Sequence, residues 1–240
     1  MINAASLAAG IAANSWITIR GANLATGTND WSNAVVNGKL PTSLDGVSVS
    51  VGGMPAYIYY VSPTQINALA PDVPSGLVPV TVTTPNGVSA PVTATAGAYS
   101  PAFFMWPGNQ AVATRPDYSF VANPGTFSGA ATTAAKPDEV IILWGTGFGP
   151  TTPPAPVGTS TPSSQVYSTL TAPSVTLGRF PAQVLGAALT PGSAGLYQIA
   201  VQLPSVADGT YAIQASIGGV QSTAPAMLSI CSKSSCAASK

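Results

Sequence analysis

The sequence predicts an all-β protein made of two β-sandwich modules in tandem, joined by a β-hairpin connector. Three observations predict it. Apolar and polar residues alternate along many short runs, the period of a half-buried strand, and helical periodicity is absent throughout. Glycine and proline are frequent, at 24 and 23 of 240 residues, which suits many short strands and turns. The chain also writes one stretch twice, residues 47–76 and again 173–209. Val49, Val51, Gly52, Pro55 and Ala56 fall on Val175, Leu177, Gly178, Pro181 and Ala182 without a gap. Gln65, Ile66, Pro71, Val73 and Gly76 then fall on Gln198, Ile199, Pro204, Val206 and Gly209. Between these blocks the second copy carries seven extra residues, including Thr190, Pro191, Gly192 and Ser193.

Taken in order, the first module is expected over residues 1–97. Its Ala-rich start leads into a strand in which Ile17 and Ile19 face one way and Thr18 the other, and Gly21 ends it. A long polar loop over residues 25–42 holds Trp31 among Thr28, Asn29, Asp30, Ser32 and Asn33. Val47, Val49 and Val51 alternate with Ser48 and Ser50, and Gly52-Gly53 turns the chain back. In the next strand alternation puts Tyr57 and Tyr59 on one face and Ile58 and Tyr60 on the other. Ser62-Pro63 breaks it, residues 65–69 resume a strand, and Val78, Val80 and Val82 alternate up to the turn Pro85-Asn86-Gly87.

Residues 98–138 match neither copy. Phe103, Phe104, Met105 and Trp106 run into the turn Pro107-Gly108-Asn109, and residues 110–114 return. So many aromatics argue for a hairpin connector packed between the modules rather than a solvated linker. The second module, residues 139–230, opens on the apolar run Val140–Trp144 and a glycine turn, which align with residues 17–24. A Pro/Thr/Ser-rich loop over residues 151–172 stands where the first module has its long loop, and Ile199, Val201 and Leu203, then Ile213, Ala215 and Ile217, alternate. Residues 231–240 form a tail with the two cysteines, Cys231 and Cys236. In an oxidising compartment a local disulfide is expected there, closing a small loop.

Composition narrows the function classes. Charged residues are 6% of the chain, against about 25% in an ordinary soluble domain. Seven basic and seven acidic residues cancel, and the basic ones are scattered, which argues against nucleic acid as a partner. No apolar run approaches the ~18 residues of a membrane span. The start of the chain lacks the charge and the apolar core of a signal peptide, so an export signal is expected upstream of it.

The strand followed by Gly-x-x-Leu, the long loop, the run Val49, Val51, Gly52, Gly53, Pro55, Ala56, and the Pro-Ser-Gly turn before Val78 and Val80 resemble the IPT/TIG type of immunoglobulin-like domain. Asn3-Ala4-Ala5-Ser6, the run from Leu40 to Leu44, the run from Tyr60 to Asn67 and the run from Gly195 to Ile199 are similar to a C-terminal region of a family of large secreted bacterial proteins of uncharacterised function. That resemblance spans about residues 3–230. It implies immunoglobulin-like (IPT/TIG-type) β-sandwich modules, an extracellular or cell-surface location, and no catalytic residues to carry over.

Catalytic chemistry finds little purchase. There is no histidine, so Ser-His-Asp and Cys-His nucleophile systems and the usual metal ligands are missing. Neither Lys39 nor Lys136 sits in a recognisable Ser-Lys motif. Asp138 and Glu139 are strand neighbours that face opposite ways, and no Asp-rich loop offers calcium its six to eight oxygens. The run Gly145-Thr146-Gly147-Phe148-Gly149 is followed by prolines rather than a helix, so it reads as a turn and not a phosphate loop. No cofactor and no metal is expected. The binding candidates are aromatic: Trp31, Tyr57, Tyr59 and Trp106, against the alternative that the tyrosines line the core and Trp106 packs between modules.

The sequence therefore reads as a non-catalytic extracellular structural or adhesive module that self-assembles into an oligomer or filament through poorly guarded edge strands. In that reading the Ala-rich start adds to a neighbour as a strand. The alternative is a carbohydrate-binding module of a larger secreted protein. The partner is protein in one case and polysaccharide in the other.

Overall fold

The computed structural model describes residues 1–223 and 226–232 and contains no α-helix among them. Twelve strands of four or more residues carry the architecture, six in each half of the chain. In the first module they are β1 (Trp16–Arg20), β2 (Val47–Val51), β3 (Tyr57–Val61), β4 (Gln65–Leu69), β5 (Gly76–Thr84) and β6 (Val92–Gly97). In the second they are β7 (Val140–Thr146), β8 (Ser174–Leu177), β9 (Phe180–Leu189), β10 (Tyr197–Gln202), β11 (Gly209–Ile217) and β12 (Ala226–Ile230).

In the first module β4 pairs with β1 and β3 in one sheet, while β5 pairs with β6 and β2 in the other. The alternation read from the sequence explains the sandwich. Ile17, Ile19, Ile66 and Ala68 from one sheet meet Val47, Val49, Val51, Val78, Val80 and Val82 from the other in one buried cluster. Each such Val or Ile side chain contributes roughly 1.5–3 kcal/mol by leaving water. The second module repeats the plan: β10 pairs with β7 and β9, and β11 with β8 and β12. Its strand β9 serves both sheets, lying against β8 at Ala182 and against β10 from Gln183 to Leu189. These are the immunoglobulin-like sandwiches expected.

The ladders extend the sequence repeat into β1 and β7. Gln65 lies opposite Arg20, and its counterpart Gln198 lies opposite Trp144. Both copies also place a β-bulge at one equivalent position. Pairing skips Tyr59 between Ile58 and Tyr60, and it skips Leu185 between Val184 and Gly186. An extra residue in one strand breaks the period of two. Ile58 and Val61 are therefore the buried residues of β3, and Tyr60 is not the partner of Ile58 that strict alternation expects.

Two segments are tied into the chain. The hairpin Met105–Trp106 with Gln110–Ala111 is present, and residues 98–138 find strand partners in the second module while Ser100 also bonds Asn3 and Gly10 of the first. Ala102 and Phe103 lie opposite Thr146 and Gly145, Gln110 opposite Met227, and Ala113 opposite Leu143. Phe103, Ala111, Ala113 and Val121 join the second core, because the open edges of β7 and β12 offer both hydrogen bonds and apolar cover. The Ala-rich start is also engaged in its own chain. Ile2 and Asn3 pair with β1, and Ile11 and Ala12 with β6, so it is not a free strand awaiting a neighbour. The expected Cys231–Cys236 bond lies outside the described residues, since Cys236 is not among them.

Candidate functional site: an aromatic cleft at the module junction

The outer face of the β1-β4-β3 sheet is where the modules meet. At one end Leu69 packs with Leu40 and Ala194 in a small buried cluster that Trp16, Trp31 and Tyr57 cover. The two long loops, equivalent in the repeat, clasp each other there. Leu40 N donates to Gly158 O at 2.9 Å and Ser160 N to Gly38 O at 2.8 Å. Buried Thr146 acts as a pin, its Oγ1 accepting from Trp16 N at 3.0 Å and donating to Gly195 O at 2.9 Å. Gly195 has a φ of +59°, and a Cβ there would overlap Leu69 and the carbonyl of Asn14, so only glycine lets the strands approach this closely.

Three rings gather beside that junction. Trp16 opens β1, and its Nε1 donates to Ala194 O of the second module at 2.9 Å. Trp31 begins a short 3-10 turn, Trp31–Asn33, capped by Asp30, whose carboxylate accepts from Ser32 N at 2.8 Å. Hydrogen bonding from the Ser32 side chain and backbone holds the Asp30 carboxyl below the usual carboxylate range. Asn29 and Asp30 pair with Val61 and Tyr60 of β3, which brings Trp31 across Tyr59. Tyr59, pushed outward by the bulge, is 38% exposed. Ring centroids lie 5.5 Å apart for Trp16–Trp31, 5.3 Å for Trp16–Tyr59 and 5.0 Å for Trp31–Tyr59, at angles of 59° to 77°. Edge-to-face contacts of this kind are worth about 0.5–1.5 kcal/mol each, so the cluster stands ready-made.

The rings line an open cleft of about 460 Å³. Along β1 and β4 its wall continues as Thr18, Arg20, Gln65 and Asn67, and Ser193, Ala194 and Leu196 of the second module form the opposite side. Asn67 Oδ1 accepts from Thr18 Oγ1 and from Gln65 Nε2, each at 2.9 Å, which fixes this polar row. A volume of this size, apolar on one side with a few aimed polar groups on the other, is that of a small-ligand site.

Of the four aromatics read from the sequence, the structure brings Trp31 and Tyr59 together in the cleft. Tyr57 lies at the junction against Gly158, where a side chain on the glycine would strike its ring. Trp106 is half-buried among other aromatics of residues 98–138, with its ring 4.9 Å from that of Phe127 and 6.1 Å from that of Phe120. Sequence reasoning passed over Trp16 and Arg20, which looked like ordinary strand residues. The available signal was the gap in the repeat: the seven extra residues of the second copy include Ser193, Ala194 and Leu196.

The glycine run ends β7 at Gly145-Thr146 and continues as a loop with no helix after it. Gly147, at φ +76°, lies so close to Ser100 O that a Cβ would overlap it. Glu139, read only as a polar strand start, forms an ion pair with Arg115 at 2.7 Å. A second cavity, of about 600 Å³, lies on residues 72–75 and 149–155. Its aromatic residue, Tyr197, is spent on structure: the hydroxyl donates to Gly149 O, and burial pushes its pKa far above the ordinary tyrosine value. No helix among the described residues is long and apolar enough to cross a membrane, and no group of three or more metal-ligating side chains is found among them.

Residues 2–96 match the family model of the IPT/TIG domain, which is the type of module the first copy resembles. Two solved structures are similar to the chain at low identity. The surface glycan-binding protein PbSGBP-B from Prevotella bryantii is 13% identical, covering 95% of this chain and 40% of that one, with a TM-score of 0.26. Domains 4 and 5 of the S-layer protein SbsC are 14% identical, covering 81% of this chain and 73% of that one, with a TM-score of 0.21. The chain thus spans about 40% of the length of the glycan-binding protein. None of the curated proteins matches it.

Proposed function

We propose that this chain is a non-catalytic extracellular module that binds polysaccharide in the aromatic cleft and so serves adhesion. One observation carries the reading: Trp16, Trp31 and Tyr59 converge on an open cleft whose wall continues as a row of hydroxyl, amide and guanidinium groups. A sugar ring has an apolar C–H face and a polar rim, and this pairing of surfaces suits both. A chain with 6% charged residues fits an exported module that works among neutral polymers. The reading takes residues 1–97 as one unit and residues 98–230 as the other, with the cleft between them.

Self-assembly has less to support it. The first module's sheets end in two-residue strands, Ile2–Asn3, Asn29–Asp30, Ile11–Ala12 and Ser43–Leu44, and such short edges discourage pairing with other chains. Light scattering on the purified chain separates the readings, a monomer removing the filament. The direct test is affinity electrophoresis or pull-down on a panel of polysaccharides. Trp31→Ala is expected to cut retention at least about ten-fold, the scale of one lost aromatic anchor. Retention that survives Trp31→Ala unchanged, or no retention on any polymer, overturns the reading.

A further inference from the structure

We infer that the cleft selects an anionic glycan, one bearing carboxylate or sulfate, and that Arg20 is the residue that reads the charge. This deepens the glycan-binding reading and rests on it. The chain has only seven basic residues, and one of them lines the cleft. Arg20 is exposed, and among the described residues no carboxylate lies within ion-pair distance of it; the ion pair found among them is Arg115–Glu139. No acidic residue lines the cleft. A guanidinium with no counter-ion, beside a partly dry aromatic surface, attracts anions more strongly than one in open water.

The hydrogen-bond inventory of the wall points the same way. Asn67 Oδ1 is filled by Thr18 and Gln65, while among the described residues the Asn67 amide N–H groups have no acceptor. The guanidinium of Arg20 and the indole N–H of Trp31 likewise have no acceptor among the described residues. The wall therefore offers N–H donors from three side chains, one of them charged, which suits a ligand rich in acceptor oxygens. Arg20 presents the planar fork that carboxylate and sulfate oxygens meet two at a time. Trp16 and Arg20 stand four residues apart on β1, roughly 13 Å along the strand at its usual rise. A ligand that stacks on the rings and reaches the guanidinium is an oligosaccharide segment, not a single sugar.

The test uses polymers that differ in charge and in nothing else. Polygalacturonate is compared with its methyl ester, and alginate with its propylene-glycol ester, with dextran sulfate against dextran as the sulfate arm. Wild-type chain is expected to hold at least one acid form about ten-fold more tightly than its neutral partner, the size of one charge-assisted contact. The preference should shrink as salt rises from 50 to 300 mM, because screening acts on the exposed guanidinium. Arg20→Gln should bring the acid form down to about the variant's own affinity for the neutral one, closing the gap between the two. Dextran sulfate held alone would assign sulfate, and the uronates held alone would assign carboxylate. Equal binding of both forms by wild type, or a preference that survives Arg20→Gln, overturns charge selection while glycan binding stands. Loss of every polymer, acid and neutral, overturns both.

Discussion

The two copies of the module bury the same strands and differ most on one face. In the first copy the outer face of β1, β3 and β4 carries Trp16, Thr18, Arg20, Tyr59, Gln65 and Asn67. The matching positions of β7, β9 and β10 are Val140, Ile142, Trp144, Leu185, Gln198 and Ala200. The bulge is the same and its residue differs: Tyr59 meets two tryptophans, whereas Leu185 is 51% exposed and bare. Trp144, standing where Arg20 stands, is tied to residues 114–118, its Nε1 donating to Thr114 Oγ1 at 3.0 Å with the Tyr118 ring 6.5 Å away. One scaffold thus presents a fixed polar and aromatic wall in one copy and an apolar surface in the other. The lesson is that the sandwich fixes where the face points, while a handful of outward residues decide what it can meet.

The comparison breaks most completely if the second copy is made to look like the first. The turn between β3 and β4 is Ser62-Pro63-Thr64, while its counterpart runs through Thr190–Leu196 and supplies Ser193, Ala194 and Leu196 to the cleft. It also supplies the carbonyls of Ala194 and Gly195 that hold Trp16 and Thr146. Replacing residues 190–196 by Ser-Pro-Thr should abolish polysaccharide retention, a loss of about a hundred-fold or more, because one wall of the cleft and its hydrogen bonds go together. Far-UV circular dichroism should stay that of β-sandwiches, since a surface turn is exchanged for another short turn. Retention that persists in the shortened chain would show that the first copy binds alone.

A sharper version uses the bulge. Tyr59→Ala should weaken binding about ten-fold, while Leu185→Ala, at the equivalent position, should leave it unchanged. Isothermal titration with the retained polymer measures both. Equal effects, in either direction, would mean that the bulge acts through the fold and not through the aromatic cluster.

How far the sequence reveals this depends on the kind of signal. The core was legible because Val47, Val49 and Val51 or Ile199 and Val201 alternate plainly, and burial obeys that period. The repeat named the equivalent strands and even marked the extra turn. The bulge was not legible, because Tyr57 to Tyr60 contains no glycine or proline to announce a skipped pair, so strict alternation puts Tyr60 on the same face as Ile58. Trp16 and Arg20 escaped notice because outward strand residues carry no pattern of their own. Their meaning comes from Trp31, Tyr59 and Ala194, which are distant in the chain and adjacent only once the modules dock. Residues 98–138 show a similar limit: aromatics such as Phe103 announce burial but not which core buries them.

The smallest effect sharpens the comparison at Trp31, a residue the second copy does not supply from its own long loop. The loop holds Trp31 through one cap, Asp30 accepting from Ser32 N, next to Asn29, whose Nδ2 donates to both carboxylate oxygens of Asp45 at 3.0 Å. Asp30→Ala removes the acceptor and leaves the ring in place but less restrained, so binding should fall only a few-fold, well short of Tyr59→Ala. The pH dependence has a definite sign. The folded Asp30 carboxyl titrates below the ordinary carboxylate range, so the contribution of the cap is complete at neutral pH and is lost as pH falls through and below that range. Affinity for a neutral polysaccharide, which has no charge of its own to titrate there, should therefore be flat from pH 8 to about pH 4 and decline below it. Asp30→Ala should flatten that decline. A decline of the same size in wild type and variant would place the titrating group elsewhere and leave the Asp30 cap without a role in holding Trp31.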